Sequence, residues 1–188
     1  SEMSIRDSDN ARLVEVSTAT SLSAEDAARK FGFERQGTSY RDLLSREDID
    51  AVLIATRHAA HAEMSAAALR SGKAVFVEKP LAIDAAGGET VRAAIEESQN
   101  DRLLVGFNRR YAPLVVEMKN RIADRTYPLT LLFRVHAGQM ESSSWYLDPS
   151  EGSRFIGEAG HFFDVFAFLT GARPVKVFAV SLHPASST

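Results

Sequence analysis

Short apolar runs separated by longer helix-like stretches dominate the first half of the chain. The runs lie at residues 12–18, 49–55, 74–77 and 102–106. Continuous apolar runs are typical of parallel strands that helices cover on both faces. Strands that alternate with helices of about 10 to 15 residues predict βαβ crossovers. The pattern therefore predicts an α/β fold with a doubly wound parallel sheet.

Start and stop signals place the helices between these runs. Ser23 has capping-box spacing and is expected to open the first helix, and Asp84 is expected to cap the last one. Gly32 and Gly72 end two of the helical patterns. The predicted helices lie at residues 23–30, 40–44, 60–70 and 84–98.

The pattern changes after a predicted helix at residues 113–123. Apolar and polar residues alternate at 129–137, which fits a strand of an antiparallel sheet with one open face. A phenylalanine-rich helix at 155–169, closed by Gly171, precedes a last predicted strand at 175–182. We therefore expect a second, α+β domain, with a first domain at residues 1–107 and a second at 108–188.

The composition is that of an ordinary globular protein and excludes several classes of function. The 188 residues are 45% hydrophobic with a formal charge of -3, which leaves no basic footprint for nucleic acid or an anionic membrane. The absence of cysteine excludes disulfides and a cysteine nucleophile. No apolar run approaches the about 20 residues of a membrane span. We expect a cytoplasmic protein.

Charged residues follow the apolar run at residues 74–77 directly. Glu78, Lys79 and Pro80 stand at its carboxyl end, where open α/β sheets place their ligand crevice. Proline fixes the backbone and removes a donor, so the chain turns there. Lys79 is therefore aimed by a rigid strand and a turn. A solvated Glu78–Lys79 pair at a strand end is the alternative that local pattern leaves open.

Several short sequence motifs follow one another between residues 12 and 182. They are D-A-V-L-I-A-T at 50–56, His61, G-K-A-V-F-V-E-K-P-L at 72–81, V-G-F-N-R-R-Y at 105–111 and G-E-A-G-H-F-F-D at 157–164. In this order they resemble the Gfo/Idh/MocA family of NAD(P)-dependent oxidoreductases. The stretch 145–164, with W-x-x-D-P, an arginine at 154 and G-E-x-x-H, is similar to the subgroup in which this module follows a zinc-alcohol-dehydrogenase-like half.

The resemblance implies a Rossmann domain followed by an α/β domain with a large antiparallel sheet. It implies hydride transfer between NAD or NADP and a small hydroxylated or carbonyl substrate, commonly sugar-like. The implied catalytic residues are Lys79, His161 and Asp164. The implied cofactor-binding residues are Thr18, Thr56, His61, Glu78, Lys79 and Asn108. Arg109 and Glu158 are the implied substrate-binding residues, and no metal ligand is implied.

Elementary chemistry fits these roles. Alcohol oxidation requires removal of the hydroxyl proton, which a lysine can accept when burial or a nearby cation favours its neutral form. His161 and Asp164, three residues apart, share one helix face. For each a simpler alternative stays open, because His161 heads an aromatic helix and Asp164 could only brace it. A metal site at His58 and His61 is disfavoured, since no third ligand stands nearby.

Three features depart from the family pattern. The eleven glycines contain no G-x-G-x-x-G turn, and no strand precedes residue 12 to carry one. We therefore expect a Rossmann sheet that lacks its first βα unit. We also expect this chain to be the middle part of a longer enzyme that continues at both ends. Ser17 and Thr18 stand where an acid usually holds the ribose, which leaves NAD or NADP open. Gly157 stands where many members carry an aspartate.

Two other classes of function compete with a dehydrogenase. One is a ligand-sensing or regulatory protein that retains the fold without the chemistry, against which Lys79 and His161 argue. The other is a lyase or glycosidase that uses NAD transiently, which stable net production of NADH would exclude. A homo-oligomer is expected, because a sheet that lacks its central strand exposes edges.

The missing glycine-rich turn leads to a first prediction. The isolated 188-residue chain should bind NAD or NADP weakly or not at all, because backbone N–H groups of that turn normally hold the pyrophosphate. Calorimetric titration with each dinucleotide measures this affinity. Binding in the micromolar range would overturn the expectation.

Overall fold

A computed structural model of the chain describes residues 11–141 and 143–180. The helices are α1 (Ser21–Phe31), α2 (Tyr40–Leu44), α3 (His58–Arg70), α4 (Ala85–Ser98), α5 (Pro113–Arg121) and α6 (Arg154–Thr170). The strands are β1 (Glu15–Ser17), β2 (Arg35–Gly37), β3 (Ala51–Ile54), β4 (Ala74–Val77) and β5 (Leu103–Val105). Short 3₁₀ turns lie at Asn108–Tyr111, Trp145–Leu147 and Pro149–Glu151.

By packing, the chain forms two compact units. Of the described residues, the first contains those at 11–106, 140–141 and 143–157, and the second contains Phe107–Gln139 and those at 158–180. The segment at 143–157, called the loop below although its last four residues begin α6, thus packs with the first unit and follows the predicted boundary in sequence. The functional division into a dinucleotide-binding and a substrate domain stays a prediction.

All strand pairs in the first unit are parallel, as the alternation of strands and helices predicted. β1 pairs with β2, while β3, β4 and β5 form a separate sheet in that order. The polar segment Arg35–Gly37 belongs to none of the predicted strands, because it has no apolar run, and it forms β2 through its ladder with β1. The α/β class is confirmed.

One face of the three-stranded sheet carries the core. Val75 and Val77 of β4 are buried against helices α3 and α4, whose Leu69, Val91 and Ala94 are also fully covered. On the opposite face Leu53, Phe76 and Leu104 stand in register across the three strands. Leu53 and Leu104 are half exposed there. Burial of apolar area therefore stabilises the unit mainly through the helix-covered face.

Helix ends follow local signals with one correction. Asp84 caps α4 by accepting from the Gly87 N–H at 2.8 Å, as predicted. α1, however, begins at Ser21 with Thr20 as its N-cap, and not at Ser23. Ser23 lies in the first turn of the helix, and its hydroxyl donates to the carbonyl of the N-cap residue Thr20 at 3.0 Å.

The structure differs from prediction at two expected strands of the second unit. Residues 129–137 and 175–180 adopt no strand, and residues 181 and 182 lie outside the described range. A strand exists only through hydrogen bonds to a neighbour, and the described residues of this unit offer no partner strand. Their apolar side chains, such as Leu132 and Phe178, are consequently exposed.

The unequal sheet faces predict unequal effects of the same truncation. Leu69→Ala should lower the free energy of unfolding by about 2–5 kcal/mol, because the side chain is 0% exposed and leaves a cavity. Leu53→Ala removes the same atoms from a side chain that is 55% exposed and should cost about 0.5 kcal/mol. Urea denaturation measures both. Equal losses would contradict the assignment of the core to the helix-covered face.

Candidate active site

Lys79 stands one residue beyond the last ladder bond of β4. The Glu78 N–H donates to the Ile54 carbonyl at 2.9 Å, so the parallel pairing with β3 continues past Val77. Pro80 follows, is buried and ends the strand direction. The backbone that carries Lys79 is therefore fixed by the sheet on one side and by a covered proline on the other.

The ammonium group of Lys79 is held by the loop that packs on this edge of the sheet. Its Nζ donates to the Tyr146 hydroxyl at 3.1 Å and to the Gly157 carbonyl at 3.0 Å. It also lies 5.7 Å from the centre of the Tyr146 ring. The side chain is half-buried. A solvated Glu78–Lys79 pair, the alternative left open by the sequence, does not describe this arrangement.

His61 ties together the ends of two neighbouring strands. Its Nδ1 lies 2.7 Å from the Pro80 carbonyl, and its Nε2 lies 3.1 Å from the Thr56 carbonyl. The side chain is only 1% exposed. Because Thr56 follows β3 and Pro80 follows β4, the ring lies between the two strand ends, and the N–H of a neutral imidazole donates to one of the two carbonyls. The implied role of His61 in lining the cofactor stays a prediction, and its visible role is to hold the turn behind Lys79.

The loop is anchored by His58 and Glu151 at the start of α3. The Glu151 carboxylate accepts from the Ala59 N–H at 3.0 Å, and its carbonyl lies 3.3 Å from the His58 Nδ1. An acid at a helix N-terminus is stabilised by the helix dipole. The His58 ring packs edge-on against Trp145 and Tyr146, with centroids 4.9 and 5.1 Å apart. Sequence reasoning missed this cap because the partners are 92 residues apart.

Gly157 occupies a position with no room for a side chain. An added Cβ would lie 2.9 Å from Cε1 of Tyr146 and 3.0 Å from Cε1 of His58. Neither ring can yield easily, because each packs against the other and against Trp145. The aromatic cluster therefore requires a glycine at position 157, where many family members carry an aspartate. The carbonyl of Gly157 accepts a hydrogen bond from Lys79.

The implied cofactor-binding residues of the first unit lie just beyond strand ends. Thr18 follows β1, and its hydroxyl donates to the Thr20 carbonyl at 2.9 Å. Thr56 is exposed after β3, with its hydroxyl 3.3 Å from the Arg57 carbonyl. The exposed Glu78 carboxylate accepts from the Lys79 N–H at 3.3 Å. Hydroxyls and a carboxylate at the carboxyl ends of parallel strands fit the ribose and amide portions of a dinucleotide.

In the second unit, the implied residues form two charged pairs. Asp164 accepts from Arg110 in a bidentate pair, with Nε at 2.9 Å from Oδ2 and Nη2 also bonded to Oδ1. This bonding raises the pKa of Arg110. Arg109 lies 3.5 Å from the Glu158 carboxylate. Asp164 therefore has the bracing contact that the sequence left as an alternative, and its catalytic role stays a prediction.

The remaining implied residues are His161 and Asn108. His161 is 6% exposed, and its ring packs edge-on against Phe107 with centroids 6.0 Å apart. Asn108 is exposed in the 3₁₀ turn at Asn108–Tyr111. Lys79 belongs to the first compact unit and His161 to the second, so the expected approach of the two stays a prediction.

Two negative observations hold for residues 11–141 and 143–180. No helix there combines the length and apolar composition that crossing a membrane requires. No cluster of three or more histidine, aspartate or glutamate side chains suits a metal ion there.

The fold and the polar strand ends define a Rossmann-type nucleotide-binding protein. The family model for the Gfo/Idh/MocA oxidoreductases, described as having an NAD-binding Rossmann fold, matches residues 2–107. This match covers more than half of the chain, and the chain belongs to that family.

Known relatives agree with this assignment. Inositol 2-dehydrogenase of Rhizobium meliloti is 32% identical over 92% of this chain and 51% of its own length. The NAD(+)-dependent scyllo-inositol 2-dehydrogenase of Bacillus subtilis is 30% identical over 92% of this chain and 49% of its own length. The structure of an oxidoreductase domain protein from Kribbella flavida is 28% identical with a TM-score of 0.70, over 85% of this chain and 45% of that one. The chain spans about half the length of the curated relatives it matches.

The buried His58 predicts a pH dependence of stability. Burial lowers the pKa of His58 from its ordinary 6.5, with the charge of Lys79 acting in the same direction. The unfolded chain then takes up the proton more readily than the folded one. The contribution of neutral His58 to the free energy of unfolding is therefore fully present above about pH 6.5 and is lost as the pH falls toward the lowered pKa.

The comparison is between wild type and His58→Phe, which keeps an aromatic ring but cannot titrate. Between about pH 7.5 and pH 5, the free energy of unfolding in urea should fall more steeply in wild type than in His58→Phe. The difference between the two profiles isolates His58 from the other histidines. Parallel profiles would contradict the prediction.

Proposed function

We propose that the complete enzyme carrying this sequence is an NAD-dependent dehydrogenase that oxidises a hydroxyl group of a small, sugar-like polyol. The observation that carries the proposal is the Lys79 ammonium, which a strand, a turn and two hydrogen-bond acceptors hold at the carboxyl edge of a parallel sheet. That edge is where open α/β sheets bind their ligands. The family match supplies the cofactor class.

Lys79 is assigned the proton transfer at the reacting oxygen. As a neutral amine it takes the hydroxyl proton while the carbon loses hydride, and in the reverse direction the ammonium returns that proton. His161 and Asp164 are assigned to the substrate side, with Asp164 oriented by Arg110. Arg109 and Glu158 are assigned to the substrate hydroxyls, since their charged pair can donate and accept hydrogen bonds.

The dinucleotide, when bound, supplies the hydride acceptor. We assign Thr18, Thr56, Glu78 and Asn108 to hold it, and His61 to fix the strand ends on which two of these residues stand. Thr18 offers a hydroxyl and no carboxylate beside the ribose position, which suits NAD and also tolerates the extra phosphate of NADP.

The substrate class rests on the relatives. Both curated relatives described above are named as inositol dehydrogenases. A polyol presents neighbouring hydroxyls, which the arginine and carboxylate groups of the second unit are suited to bind. We therefore propose a cyclitol or a sugar-like ring as the substrate.

Three finer assignments belong to the same proposal. The W-x-x-D-P stretch, in which Asp148 caps the 3₁₀ turn Pro149–Glu151 by accepting from the Ser150 N–H at 2.9 Å, supports the subgroup fused to a zinc-alcohol-dehydrogenase-like half. The half-exposed row of Leu53 and Leu104 supports assembly into a homo-oligomer. The composition, without cysteine, supports a cytoplasmic location.

Substitution of Lys79 tests the proposed reaction. In the complete enzyme, with NAD and a panel of inositols and sugars, turnover followed as NADH formation should fall at least about 100-fold in Lys79→Met, because the proton acceptor is lost. Lys30→Met, which changes an exposed lysine on α1, is the matched control and should retain wild-type turnover. Unchanged turnover in Lys79→Met would reject Lys79 as the proton-transfer group.

A further inference from the structure

We propose that Tyr146 is a positioning residue for Lys79, whose phenol oxygen sets the direction of the ammonium and stabilises its charged form. This inference rests on the proposed function only in taking Lys79 as the proton-transfer group. The carrying observation is the contact of 3.1 Å between the Tyr146 hydroxyl and the Lys79 Nζ.

The phenol is a second acceptor beside a backbone carbonyl. The Gly157 carbonyl accepts from the same ammonium at 3.0 Å, so the head group is bonded to two oxygen atoms from the loop. A lysine side chain has four rotatable bonds and loses much rotamer freedom when its head group is fixed. Two acceptors at defined positions select one orientation from the many that the stem allows.

Tyr146 itself has little freedom to move. Its ring packs against Trp145 with centroids 4.3 Å apart and edge-on against His58 at 5.1 Å. The absence of a Cβ at Gly157 leaves the space that the ring edge occupies. The loop is fixed further by Glu151 at the start of α3. The phenol oxygen is therefore a preorganised acceptor.

Preorganisation matters for the proton-transfer step. When neutral Lys79 takes the substrate hydroxyl proton, the C–H electron pair leaves as hydride to the nicotinamide, and the substrate is oxidised by two electrons. The positive charge that appears on Nζ then meets oxygen acceptors that are already in place. Such acceptors stabilise developing charge without reorganisation at the moment of reaction.

Other charged and titratable groups also surround Lys79. His58 lies close enough for its charge to interact with that of Lys79, and its pKa is lowered mainly by burial. Glu78 precedes Lys79 and bonds its backbone N–H, while Glu151 and His61 lie beside His58. These groups remain in place when only the Tyr146 hydroxyl is removed, so their contribution cancels in the comparison below.

Tyr146→Phe isolates the hydroxyl, because it keeps the ring contacts with Trp145 and His58. The 188-residue chain is treated with acetic anhydride over a series of pH values, and acetylation of the peptide containing Lys79 is measured by mass spectrometry. The midpoint of reactivity should move to lower pH by about one unit in Tyr146→Phe, since one hydrogen bond to the charged form is lost. Tyr127→Phe, at an exposed tyrosine of the second unit, should leave the midpoint unchanged.

A midpoint in Tyr146→Phe equal to that of wild type would overturn the proposal, as would an equal shift in Tyr127→Phe. Should Tyr146→Phe lose its fold by circular dichroism, 4-fluorophenylalanine placed at position 146 provides the same test, because its fluorine is close in size to the hydroxyl and is a poor hydrogen-bond acceptor. The same shift to lower pH is expected, and no shift would again reject the proposal. The acetylation readout needs neither substrate nor cofactor, so it fails or succeeds independently of the turnover test on Lys79→Met.

Discussion

The arrangement of the candidate site depends on the two contacts that the buried His61 makes with backbone carbonyl groups. The ring lies between the Thr56 carbonyl after β3 and the Pro80 carbonyl after β4, and the N–H of a neutral imidazole donates to one of the two, the contact with Pro80 being the shorter. A buried carbonyl without a donor would cost on the order of 1–3 kcal/mol. His61 supplies a hydrogen-bond donor at the turn that follows Lys79. The same side chain therefore stabilises the turn and helps to position the candidate catalytic lysine.

A second constraint comes from the loop at residues 143–157, which together with the first turn of α6 provides the acceptors for Lys79. Glu151, Trp145 and Tyr146 attach it to the amino end of α3, where exposed N–H groups favour an acid. The sheet thus supplies the position of the lysine, and the loop supplies the direction of its ammonium. The strand end alone does not fix the orientation of the Lys79 ammonium, because without the loop the side chain would populate many rotamers.

The core of the first unit could be predicted from local sequence signals. Features that depend on contacts between distant segments could not. The apolar run of β4 and the Asp84 cap of α4 are each encoded within a few residues. β2 was missed because the polar segment Arg35–Gly37 becomes a strand only through β1. Residues 129–137 have the alternation of a strand but no partner among the described residues, so the pattern alone was insufficient. The Glu151 cap joins residues 92 apart, beyond any local motif.

The packing around Gly157 connects these constraints to the chemistry. A side chain there would displace the rings of Tyr146 and His58, and the same displacement would move the phenol oxygen away from Lys79. The absence of a side chain therefore allows two neutral acceptors, a carbonyl and a phenol, to hold the ammonium. The same glycine thus serves the packing of the two rings and the placement of the oxygen atoms that the ammonium contacts.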